Sequence, residues 1–146
     1  MASRIIAIAD DVVTVINGGS FTYADPVAAI RWYVPDYDLA GIKTLRVSVL
    51  PADKPELLQS RNLTQRDFMI SVGVQQKVSN LTTDFDDLVE LVEEINALFR
   101  FAQLPVTGVS WIASEVDPVY DPDHASQMNV FTSVLNLTFR DFLKKS

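Results

Sequence analysis

Hydrophobic and polar positions alternate most regularly between Phe68 and Val74, where Phe68, Ile70, Val72 and Val74 are separated by Met69, Ser71 and Gly73. A period of two places the four apolar side chains on one face of a strand, predicted over Phe68–Lys77. Elsewhere the period lengthens to that of a helix. Ile5, Ile6, Ala9, Val12, Val13 and Ile16 follow spacings of one, three and four, which predicts a helix over Ser3–Asn17 with Asp10 and Asp11 on its outer side. Ser3 is the expected N-cap, and Gly18–Gly19 the expected left-handed stop. Phe85, Leu88, Val89, Val92, Ile95 and Phe99 form a second stripe over Asp84–Ala102, opposed by Asp86, Asp87, Glu90, Glu93 and Glu94. Thr83 or Asp84 caps its start, and Pro105 ensures its end.

Four further strands are expected around these elements. Ala28–Val34 is ended by Pro35, Thr44–Leu50 is closed by Pro51, and Val109–Val116 and Val130–Phe139 follow the second helix. In the last strand Phe131, Leu135, Leu137 and Phe139 share a face that Ser133 interrupts, which suggests a bulge or an edge position. Pro51–Arg66 reads as roughly sixteen residues of irregular chain with one helical turn over Pro55–Ser60, against a usual loop length of about 4–6. The order predicts a single α+β domain over residues 1–146. Its mostly antiparallel sheet of about four to five strands carries two main helices packed on one face.

Composition narrows the classes of function. The chain has no cysteine, so disulfides and thiolate metal sites are excluded and the redox compartment is left open. A net charge of −7 opposes nonspecific binding to DNA or anionic membranes, though not a protein that surrounds DNA without gripping it. Asp10 and Asp11 interrupt Ile5, Ile6 and Ile8 too soon for a secretory signal, and no run reaches membrane-spanning length. The sequons at Asn62, Asn80 and Asn136 therefore read as chance occurrences.

Catalytic constellations are sparse. Asp117, Asp121, Asp123 and His124 offer metal-ligating side chains, but their spacing fits no known ligand frame and two Asp-Pro steps read first as turns. His124 is the sole histidine, no Gly-x-Ser-x-Gly elbow accompanies it, and Gly18–Gly19 lies in no phosphate-binding fingerprint. No catalytic residue and no cofactor is expected. Trp32, Tyr33 and Trp111 read as core aromatics, because no basic residues are interleaved among them for nucleic-acid readout. A small metal-dependent hydrolase at the Asp117–His124 cluster, and a ligand-binding module around Trp111, are the alternatives from other classes.

The N-terminal helix is followed by Arg31-Trp32-Tyr33-Val34-Pro35, Asp36-Tyr37-Asp38-Leu39, and Val47-Ser48-Val49-Leu50-Pro51 leading into the long loop with Ser60-Arg61. Phe68–Lys77, the acidic amphipathic helix, and Phe131–Arg140 as a final strand come after them. Through this arrangement nearly the whole chain resembles the tail-terminator or tail-completion family of long-tailed bacteriophages, which includes tail-to-head joining proteins.

The resemblance implies a structural virion protein without catalytic activity, assembled in the host cytoplasm and resident at the neck. It would cap the tail tube as a ring, typically hexameric, and meet the tail tube protein and a head connector or stopper protein. DNA would pass through without specific binding, and no membrane would be involved. Another neck, head-completion or baseplate component is the nearest alternative. On this reading Pro51–Arg66 reaches a neighbouring subunit or the tube, offering Lys54, Glu56, Gln59, Arg61, Asn62 and Arg66. Asp86, Glu90, Glu93 and Glu94 would line the DNA passage and repel its phosphates.

Overall fold

The computed structural model describes residues 3–23, 27–31, 45–53, 56–78, 83–116 and 130–144. Helix α1 spans Arg4–Asn17 and is followed by strands β1 (Ala29–Arg31), β2 (Arg46–Asp53), β3 (Glu56–Ser60) and β4 (Leu63–Lys77). Helix α2 (Thr83–Phe99) precedes β5 (Ser110–Val116) and β6 (Val130–Lys144). The sheet runs β1-β2-β4-β6-β5, with β3 paired to β4 beyond the end of β2. Among the described strand pairs, only β1–β2 is parallel. This is the expected α+β architecture.

The core forms where the predicted periodicities meet. Val47, Val49, Phe68, Ile70, Val72, Val74, Phe131, Leu135, Leu137 and Phe139 present one sheet face to Ile8, Val12 and Ile16 of α1 and to Leu88, Leu91, Ile95 and Phe99 of α2. Two edge-to-face ring contacts hold α2 along β6: Phe85 on Phe131 at 5.2 Å and Phe99 on Phe139 at 6.0 Å between centroids. Leu91, outside the predicted stripe, is buried as well. Asn17 ties β1 to the end of α1, accepting from the Ala29 N–H at 2.7 Å and donating to the Ala29 carbonyl at 3.3 Å. Just after α1 the chain passes so near α2 that a Cβ on Gly19 would stand 2.9 Å from Leu98 Cδ1. Among the described residues no helix is long and apolar enough to cross a membrane.

Several expectations are corrected. Pro51–Arg66 is not an irregular loop: β2 continues through Pro51 to Asp53, β3 replaces the helical turn expected over Pro55–Ser60, and β4 begins at Leu63. Pro51 is accommodated beside an irregularity in the β2–β4 register between Pro51 and Asp53, a position where a missing N–H is tolerated. β3 and β4 join through Arg61–Asn62, a turn without the glycine that usually announces a hairpin. Gly18 ends α1 in right-handed geometry (φ −89°), its N–H reaching the Thr14 carbonyl, so no left-handed stop is used. Ser3 occupies the N-cap, but its side chain makes no capping hydrogen bond.

Ser133 causes no bulge. β6 pairs with all fifteen residues of β4 in unbroken register, and Ser133 sits fully buried opposite Val74. On its other side the pairing with β5 ends at Leu135, so the edge character expected there applies to that side alone, among the described residues. Asp11, expected on the outer side of α1, is 3% exposed and faces inward.

Candidate assembly surface

β4 and β6 run on together past the helix-covered core. From Leu63 to Asp67 and from Arg140 to Lys144 the two strands form, with β3, a three-stranded ribbon. Ten of its fifteen strand residues are polar or charged, and ion pairs join register neighbours across it. Arg66 faces Asp141 and donates to both carboxylate oxygens, Nε at 2.9 Å and Nη2 at 2.8 Å. Arg4 of α1 adds a bond to Asp141 at 3.1 Å and another to the Thr107 carbonyl at 2.7 Å.

One step along, and therefore on the opposite face, Arg140 donates to Asp67 at 2.8 and 3.2 Å. Donating to the Asp67 carboxylate raises the Arg140 pKa further above its already high value. Two-pronged arginine–carboxylate pairs fix planar geometry as well as charge, so the ribbon is clamped on both faces. The Arg66 guanidinium also lies 5.5 Å from the centre of the Phe68 ring, where the ribbon joins the core.

The ribbon keeps strand edges that no described strand covers. β3 pairs only with β4, and β5 leaves β6 at Arg140, so residues 141–144 have no strand on that side among the described residues. Phe142 and Leu143, on opposite faces of this edge, are each about half exposed (53% and 50%). Unpaired N–H and C=O groups beside exposed apolar side chains are the ingredients for adding a strand from another chain.

The six side chains expected to serve contact divide accordingly. Arg61 and Asn62 are exposed at the ribbon tip, whereas Arg66 is engaged by Asp141 and acts as a clamp. Glu56 and Gln59 lie on β3, and Lys54 lies outside the described residues. On α2, Asp86, Glu90 and Glu93 are exposed. Glu94 is held from the other side by Thr22, whose N–H and hydroxyl both donate to its carboxylate. The Asp117, Asp121, Asp123 and His124 cluster, with Trp32 and Tyr33, lies outside the described residues, among which no group of metal-ligating side chains gathers. Trp111 packs half-buried against the core and donates its indole N–H to Ser114 at 2.6 Å.

Two features carried no sequence signal that pointed to them. At the end of α2, Phe101 adopts a left-handed backbone (φ 62°) and stands 88% exposed. Glycine usually fills such a position; a residue with a Cβ is strained there by about 1–2 kcal/mol. An edge-to-face contact with Trp111 at 5.5 Å offsets part of that strain. The following turn is anchored by Asp11, whose Oδ2 accepts from the N–H groups of Val106 and Thr107 and from the Thr107 hydroxyl at 2.8–3.1 Å. The second feature is a cavity of about 300 Å³ on the sheet face away from the helices, with Ser48, Leu50, Pro51, Gly73, Gln75 and Thr132 in its lining. A Cβ on Gly73 would meet no described atom within 4 Å, so this glycine leaves open space.

Compared with known proteins, the chain matches no family model and no curated sequence.

Proposed function

We propose that this chain is a structural phage virion protein, a ring-forming tail terminator that caps the tail tube and joins the tail to the head. The resemblance in sequence supplies the family. The observation that carries the reading is the clamped three-stranded ribbon, with uncovered edges and exposed Arg61, Asn62, Phe142 and Leu143. A closed ring needs a patch on one subunit that meets a different patch on the next, and a stiff projecting ribbon supplies one half of such a contact. Stiffness matters because a pre-ordered arm loses little conformational entropy on docking. On this reading the protein has no catalytic role and needs no cofactor; its partners are further copies of itself, the tail tube and the head connector or stopper.

The test is removal of the arm. Deleting Lys54–Asn62 takes away β3 and the turn, leaving Leu63–Asp67 to bridge β2 to the core half of β4. We expect a folded monomer, judged by cooperative thermal unfolding, that no longer forms rings or joins tails to heads in a complementation assay. Normal joining by the deletion variant contradicts the proposal.

A further inference from the structure

We infer that the tip of the ribbon docks on the acidic flank of α2 in a second copy of this chain; the inference rests on the ring reading above. Charge is divided unevenly along the sequence. Residues 57–65 and 142–146 hold Arg61, Lys144 and Lys145 and no acidic residue, whereas the rest of the chain holds nine basic and nineteen acidic residues. Backbone register brings the two stretches together, since Lys144 pairs with Leu63, and Leu63 with Ser60 next to Arg61. Arg61 and Asn62 are exposed in the connecting turn, and half-exposed Phe142 and Leu143 precede Lys144 on β6.

The other end of the molecule has the complementary character. α2 carries six acidic residues and no basic one. Asp86, Glu90 and Glu93, at spacings of four and three, form one exposed stripe, with exposed Asp87 beside it. Along this stripe Val89, Val92 and Glu93 of α2 and Val116 of β5 line a hollow of about 70 Å³. An apolar hollow among carboxylates suits an apolar side chain among cations, and the ribbon tip supplies both.

One molecule cannot make this contact with itself. Phe85, near the start of α2, packs on Phe131, which pairs with Gln76, thirteen residues of β4 away from Leu63 at the tip. At about 3.3 Å per strand residue and 1.5 Å per helix residue, the tip stands roughly 40 Å from the start of the flank and roughly 30 Å from Glu93. Tip and flank therefore meet only between molecules. A second copy is favoured over nucleic acid or lipid because the chain itself carries the matching patch, with opposite charge and an apolar hollow. Each copy that offers its tip to one neighbour keeps its flank for another. Such a contact is heterologous and closes into a ring when the rotation permits.

Charge reversal tests the contact while leaving both surfaces in place. The tip variant carries Arg61→Glu, Lys144→Glu and Lys145→Glu; the flank variant carries Asp86→Lys, Glu90→Lys and Glu93→Lys. Each should unfold cooperatively on heating, and each should self-associate at least about tenfold more weakly than wild type in sedimentation. An equal mixture of the two sets opposite charges against each other at every unlike contact and should recover association. A single chain with all the substitutions should recover it too. Wild-type association should weaken about tenfold between about 0.05 and 0.5 M salt.

A wild-type chain that stays monomeric at roughly 0.1 mM in low salt overturns the inference, as does a mixture that stays dissociated. Unchanged association of the flank variant, the result for a flank that faces the DNA passage, overturns it as well. So does a tip variant that associates normally but loses binding to duplex DNA or anionic vesicles. If either variant still forms rings on tail ends, the contact fails and the tail reading stands. If the mixture recovers association but the wild-type chain has no affinity for tail ends, the contact stands and the tail reading fails.

Discussion

At the residue scale, Asp11 shows how one buried carboxylate joins distant parts of the chain. It sits within α1, yet its Oδ2 collects three donors from the turn that follows α2. The arrangement resembles a helix cap supplied by a different element, satisfying N–H groups that would otherwise be left unpaired beside the core. Replacement by alanine removes all three bonds at once. Asp11→Ala should destabilise the protein by about 1–3 kcal/mol, a fall in Tm of roughly 2–12 °C for a chain of this size. An unchanged melting curve would show that the turn is held by other contacts.

At this scale the sequence was legible only in part. Helical spacing put Asp11 beside Asp10 on the outer side, and Asp10 does lie there, paired with Arg31 at 2.7 Å. Periodicity has no means of anticipating a polar partner that arrives from residues 106–107. Phe101 was equally silent, since a left-handed phenylalanine depends on the tertiary contacts that hold it.

Among the elements, the strands with apolar alternation were readable and the polar ribbon was not. Phe68 to Val74 follows a period of two because one face lies under the helices, and all four predicted apolar positions are buried. From Leu63 to Asp67 no such face exists, so hydrophobic patterning fades although the backbone pairing continues unbroken. What replaces it is cross-strand charge pairing between residues some seventy apart in sequence, which only the register brings together.

Asp141 is the centre of that pairing, because both Arg66 and Arg4 donate to it. Asp141→Ala removes the carboxylate that the two guanidinium groups share, leaving Arg4 only its bond to the Thr107 carbonyl, and its effect should be local as well as global. Amide hydrogen exchange at residues 63–67 should accelerate at least about tenfold relative to the core half of β4, with a stability loss of about 1–3 kcal/mol. Uniform exchange along β4 in the variant would argue that backbone pairing alone stiffens the ribbon.

For the molecule as a whole, sidedness is the property that matters. The helices cover one sheet face, the cavity opens on the other, the ribbon projects from one end, and Asp86, Glu90 and Glu93 mark the exposed flank of α2. Heterologous assembly around an axis needs two different patches on each subunit, and surfaces that differ in several directions offer them. If the α2 flank faces the passage, its charge keeps DNA from adhering. Glu94 is occupied by Thr22, so the informative substitution is Glu90→Lys with Glu93→Lys, which leaves that bond intact. Particles carrying the double variant should release DNA more slowly, and the defect should diminish as salt rises. Release at the normal rate would return this flank to an ordinary solvated helix face.

The central claim concerns where the protein goes. Negative-stain electron microscopy of the purified chain mixed with isolated tail tubes tests it most directly. The account predicts a ring at one end of each tube, with the ring lost when Lys54–Asn62 is deleted. Tubes whose ends stay bare at saturating protein, or protein bound along their sides, would contradict it.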